Sequence, residues 1–272
     1  MAYERLDENP LDYKFCRYGQ SRMLFRGPKR NVKKPYISFI GGTQTFGKYV
    51  EQPFSHVIEE QTGIQAINLG AVNAGIDAFI KDQSVLNLCN KSKTTVIQTM
   101  GAQNMSNRFY SVHPRRNDRF LKASPLLQTI YREVDFTDFS FTRHLLMALK
   151  SLSQEKFEIV EAELRAAWVA RMEHLLKSIA GPKVILWLRD ARRPEYRESP
   201  ALGADPLYVS EEMIDAIRGM VMDVVAVDIT EDLAPDTTLG MLYPSREVSA
   251  AQSLPGPMFH AFVAEELAKA LK

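Results

Sequence analysis

Short β-branched apolar runs alternate along the chain with longer stretches in which apolar residues recur at helical spacing. Tyr36-Ile-Ser-Phe-Ile40 is such a run, closed by Gly41-Gly42, and from 48 to 62 the residues Val50, Phe54, Val57 and Ile58 keep a helical pattern. Strand, turn and helix therefore follow one another. The unit repeats with a strand at 64–68, a Gly/Asn-rich turn at 69–75 and a helix opening near Asp77. A third strand, β-branched and apolar enough to be buried, runs over 94–100 and ends at Gly101. Helical stretches near 141–152 and 155–179 precede strands at 183–188 and 223–228, and a helix over 257–271 closes the chain. Strands that alternate with helices predict a parallel sheet, because a parallel connection needs a crossover. The expected fold is an α/β three-layer α/β/α sandwich with a mostly parallel sheet of about five strands. Ligands of such sheets sit beyond the carboxyl ends of the strands, which directs attention to the turns after Ile40, Asn68 and Met100.

Composition narrows the class. The 272 residues are 45% apolar and 25% charged, with 34 Lys+Arg against 33 Asp+Glu, which excludes disordered and collagen-like chains. Cys16 and Cys89 stand far apart without C-x-x-C or Cys/His spacing, so neither a zinc site nor a disulfide framework is expected, and a reducing compartment fits. The first ten residues are charged, and no apolar run approaches the roughly 18 residues of a membrane span. These features predict an untargeted cytoplasmic protein with no membrane association, no metal and no cofactor.

The balanced charge hides one asymmetry: from Tyr13 to Val50 there are nine basic residues and no acidic one. This divides the chain into a basic N-terminal arm, 1–34, and a single α/β domain, 35–272, with long loops at 109–122 and 190–206. The arm is expected to be solvated, or else to hold an anionic ligand or another subunit's acidic face. Overall neutrality argues against nucleic acid.

The first strand-end turn, Gly41-Gly-Thr-Gln-Thr-Phe-Gly-Lys48, admits two chemistries. From Gly42 to Lys48 it spells G-x-x-x-x-G-K, a phosphate loop lacking its final Ser/Thr, the hydroxyl that would ligate Mg²⁺. Alternatively Thr43 presents a hydroxyl at the tip of the turn, where helix N-terminal N–H groups stabilise a developing oxyanion. That second chemistry asks for further donors and a base. Asn104 follows the third strand in Gly101-Ala-Gln-Asn104, the second turn supplies Gly70, Asn73 and Gly75, and His260 opens the last helix in Pro257-Met-Phe-His260.

In their order and context these four blocks resemble the SGNH hydrolase superfamily, GDSL-like esterases and acyltransferases on a flavodoxin-like fold, over roughly 35–272. The resemblance implies Thr43 as nucleophile in place of Ser, Asn73 and Asn104 as oxyanion donors and His260 as general base. Two departures stand out. Pro257 occupies the place of the Asp that orients the family's His, and the methyl group of Thr43 crowds the attacking oxygen. Each residue also has a structural use: Thr43 or Asn104 as a helix cap, Asn73 in a left-handed turn, His260 in helix packing. The segment 107–120, with Arg108, His113, Arg115 and Arg116 among three aromatics, is expected to overhang the site and contact substrate together with Gly42 and Gly75. The same residues suit an oligomer contact.

The leading expectation is hydrolysis or acyl transfer on an ester, of small or carbohydrate-linked type and with an anionic variant open. Its rival is a non-catalytic binding or assembly protein on the same fold, recognising an anionic partner through the arm and the Arg-rich loop. A third alternative is a nucleotide enzyme using Gly42 to Lys48.

Overall fold

The computed structural model describes residues 11–190, 202–203, 205–233 and 238–272. Five parallel strands, β1 (Tyr36–Ile40), β2 (Gln65–Asn68), β3 (Thr94–Gln98), β6 (Lys183–Asp190) and β7 (Asp223–Ile229), form one sheet in the order β2-β1-β3-β6-β7. Counted within the sheet this is 2-1-3-4-5, the flavodoxin-like order, whose crevice opens where the chain reverses direction between β1 and β3.

Side chains alternate across the strands, so each face carries its own core. Ile37, Phe39, Val96, Val184 and Leu186 pack on helices α2 (Phe54–Thr62) and α10 (Pro257–Ala270). Tyr36, Ile40, Ile97 and Ile185 face the other way, towards α3 (Ile76–Ile80), α4 (Gln83–Lys91), α6 (Thr142–Leu152), α7 (Gln154–Ser178) and α8 (Glu211–Arg218). The expected three-layer sandwich is thus present. The long helix α7 also fixes the end of β3, because the buried Trp168 indole N–H donates to the Met100 carbonyl at 2.7 Å.

Three local features differ from the sequence expectation. The helix predicted over 48–62 forms only from Phe54 on, as α2, with Pro53 at its N-cap, and a separate short helix, α1 (Thr43–Phe46), precedes the predicted span and ends where Gly47 takes a left-handed φ of 72°. Between β3 and α6 the chain inserts an antiparallel hairpin, β4 (Tyr110–Val112) and β5 (Phe120–Ala123), whose connecting loop carries the arginines. The basic segment, within its described residues, is not a solvated arm. Cys16 and Phe25 form an antiparallel bridge, and Tyr18, Met23 and Phe25 are buried in the same cluster as Tyr36. Its Arg26 guanidinium donates to the carbonyls of Phe46, Gly47 and Glu51. Those bonds satisfy the orphan acceptors at the end of α1 and tie the arm to the first strand-end turn. The loop expected at 190–206 lies largely outside the described residues.

Candidate functional site

A cleft of about 510 Å³ opens at the carboxyl ends of β1 and β3. Gly42, Thr43, Asn73 and Asn104 line it, so three of the four predicted blocks converge. Their arrangement follows from local hydrogen bonding. Asn73 holds a left-handed φ of 56°, a conformation Asn tolerates, and its backbone N–H donates to Thr43 Oγ1 at 3.0 Å. The Thr43 hydroxyl donates in turn to Asn73 Oδ1 at 3.3 Å, while Asn73 Nδ2 donates to Asp118 Oδ2 at 3.2 Å. Gly75 does not line the cleft. It lets the second turn approach the third, since a Cβ there would lie 1.7 Å from the Asn104 carbonyl oxygen.

Gln98, at the end of β3, organises the first turn. Its Oε1 accepts from the N–H groups of Gly42 and Thr45, both at 3.1 Å, and from the Thr45 hydroxyl at 2.6 Å. Two of the N–H donors that a phosphate loop would offer are therefore already taken. Lys48 points elsewhere, pairing with Glu247 at 3.0 Å, and both facts oppose the Gly42 to Lys48 nucleotide reading.

Two cleft groups have unused hydrogen-bonding capacity. Asn104 Oδ1 accepts from Thr142 Oγ1 at 2.9 Å, but its Nδ2 has no partner among the described residues. Gln103 is 4% exposed and its Oε1 is buried without a partner. An unpaired donor and an unpaired acceptor thus sit on consecutive residues. At the rim Arg143 pairs with Asp205 at 2.5 Å, and Asp190 also borders the cleft. Gln98, Gln103 and Arg143 escaped the sequence reading. The one signal for the two glutamines was the number of amide side chains at and just after the end of a buried strand, and nothing in the sequence pointed to Arg143.

His260 is not among the residues lining this cleft. It is 1% exposed, its ring stacks on Phe54 at a centroid distance of 5.6 Å, and its Nδ1 accepts the Phe54 N–H at 3.2 Å. That bond satisfies an orphan donor at the start of α2. Burial, with the Arg26 charge nearby, lowers the imidazole from its ordinary 6.5 to about 3. The residue expected as base therefore sits apart from the residues lining the cleft, buried against Phe54 and holding its N–H. The cause is visible in α10, where His260, Val263, Ala264 and Leu267 form one buried stripe, while the cleft is bordered by Ser253, Leu254 and Pro255 from the preceding turn.

The expected substrate contacts from 107–120 also redistribute. Arg108 pairs with Glu163 of α7 at 2.7 Å and lines no part of the cleft. His113, Arg115 and Arg116 line a second cavity on the other side of the 71–74 turn. Within their loop, His113 Nδ1 accepts the N–H groups of Arg115 and Arg116 at 3.3 and 3.2 Å.

Fold and site together define a flavodoxin-like α/β/α protein with a polar, amide-lined cleft at its topological switch point. The chain belongs to the family described as Domain of unknown function (DUF6473), which matches residues 1–272. No curated protein matches it. Among solved structures it is similar to the lipase Lip_vut3 from a goat rumen metagenome, with 10% identity and a TM-score of 0.44 over 87% of this chain and 97% of the lipase. A carbohydrate esterase family 2 enzyme with its carbohydrate-binding domain, from Corynascus thermopiles (Myceliophthora fergusii), gives 11% identity and a TM-score of 0.43 over 90% and 68%. A family two carbohydrate esterase from Clostridium thermocellum, in complex with cellohexaose, gives 11% and 0.43 over 92% and 66%. Likeness at this level is one of general topology, and no residue role is carried over from it.

Proposed function

We propose that the cleft binds a small, hydroxyl-rich ligand of the sugar or sugar-ester class, and that Thr43 and His260 do not perform acyl transfer on it. The observation that carries this reading is the separation of the two residues. The imidazole is spent on the Phe54 N–H in an apolar contact, and the Thr43 hydroxyl is engaged as donor and acceptor with Asn73. A hydroxyl without a base in reach is a poor nucleophile, and a stiff β-branched side chain held on both sides has little freedom to attack. The same bonds suit recognition. Thr43 and Asn73 keep one wall rigid, while Asn104 Nδ2 supplies an unpaired donor for a ligand hydroxyl or carbonyl oxygen.

The test combines turnover with binding. p-Nitrophenyl acetate hydrolysis by the full chain should be unchanged in Thr43→Ala. Saturation-transfer NMR with mono-O-acetylated glucose should show contact with the wild type that is lost in Asn104→Ala. Turnover abolished by Thr43→Ala would overturn the reading, and so would an absence of saturation transfer with the wild type.

A further inference from the structure

A second cavity, of about 870 Å³, lies between the 16–25 hairpin and the loop joining β4 to β5. Its cations include Arg17 and Arg22 from the hairpin, Lys48 from the first turn, and Arg115, Arg116 and Arg119 from the loop. Its described lining contains no Asp or Glu. Lys48 has Glu247 as a partner, and Arg119 lies over the Phe141 ring at 4.2 Å. The guanidinium groups of Arg17, Arg22, Arg115 and Arg116 form no ion pair or hydrogen bond among the described residues. Four unpaired guanidinium groups around one concavity repel one another, in a chain whose total formal charge is only +1.

Both walls are fixed from behind. Asn117 is fully buried, and its Oδ1 accepts the N–H groups of Gly75 and Ala78 at 2.8 and 3.1 Å, while its Nδ2 donates to the His113 carbonyl. The arginine loop is thereby tied to the start of α3. Opposite it, Tyr18, Met23 and Phe25 anchor the hairpin in the core. Phe15, 56% exposed, leans on Tyr13 and Phe46 and offers a ring face beside the charges. Guanidinium groups match oxoanions by paired, charge-assisted hydrogen bonds, and an exposed ring accepts a planar or sugar group by stacking.

We propose that the groove formed by Arg17, Arg22, Arg115 and Arg116 binds a phosphate- or sulfate-ester ligand carrying two or more anionic groups. The site is separate from the cleft and does not depend on how the cleft is used. Calorimetric titration of the full chain with inorganic tripolyphosphate and with a sulfated heparin disaccharide, at low and high salt, tests it and separates the two sources of the oxoanion. At least one probe should bind, more weakly as salt rises. Affinity for that probe should fall by about tenfold or more in Arg115→Ala/Arg116→Ala and in Arg17→Ala/Arg22→Ala. The distant pair Lys177→Ala/Arg218→Ala should leave it unchanged, and thermal melts check that every variant is folded. Failure of both probes to bind at low salt would overturn the proposal. An equal loss in the distant pair would do the same, as would tighter binding of a single-stranded oligonucleotide than of either probe.

Discussion

Thr43 and Phe54 both follow β1, and the chain sends them to opposite kinds of surroundings. Thr43 enters a polar cleft with Asn73 and Asn104, whereas Phe54 enters the apolar layer against α10 and takes His260 with it. The contrast shows that the order of short motifs at strand ends predicts which turns meet, but not which way a helical side chain faces. Turns at a switch point converge because the sheet forces them together. A residue inside a helix is directed by the apolar stripe it belongs to.

The comparison can be broken most severely at the Phe54 contact. Replacing His260 by Ala removes a buried ring and leaves the Phe54 N–H without its acceptor, and urea denaturation should register a loss of about 3 kcal/mol. On the cleft side, Gln98→Leu strips the acceptor from the Gly42 and Thr45 N–H groups and should cost about 2 kcal/mol in the same measurement. If His260→Ala is instead neutral for stability and removes an esterase activity, the contrast between the regions is lost.

Dependence on pH sharpens the same point. Folding holds His260 neutral down to about pH 3, while the unfolded chain protonates it near its ordinary 6.5. Its contribution to stability is therefore complete above about pH 6.5 and is lost as pH falls towards 3, by at most about 1.4 kcal/mol per pH unit. Denaturation midpoints of His260→Gln across that window should lack this component of the wild-type slope. The smallest effect belongs to Thr43→Ser. It keeps the hydroxyl and its Asn73 bonds, so stability should change by less than about 1 kcal/mol and ester turnover should not rise. A gain in turnover would mean that the Thr43 methyl group alone had blocked catalysis.

Apart from β2 (Gln-Ala-Ile-Asn), the strands were legible because they are compact apolar runs rich in β-branched residues that close near a glycine or an acidic residue, and α6 and α7 because their apolar spacing is long and regular. Thr43, Asn73 and Asn104 were legible as neighbours for the reason already given, that strand-end turns share one edge. The hairpin at β4 and β5 was not, since Tyr110–Val112 and Phe120–Ala123 are short and set among arginines. Nor was the packing of the basic segment. Its core contribution is three residues, Tyr18, Met23 and Phe25, spaced among cations that dominate any local reading of charge. The position of His260 was in principle readable. His260, Val263, Ala264 and Leu267 follow the spacing of a buried helical stripe, a stronger signal than the proximity of His260 to the start of α10.

The most direct measurement on the central claim is the titration of His260 itself, followed through its imidazole ¹⁵N signals in the wild type and in Thr43→Val. A capping histidine should keep Nδ1 as an unprotonated acceptor down to about pH 4, since its midpoint lies at about 3, and should show the same curve in both proteins. A midpoint near 6.5 that moves when Thr43 changes would place the imidazole at the cleft as the missing base, and would contradict the account.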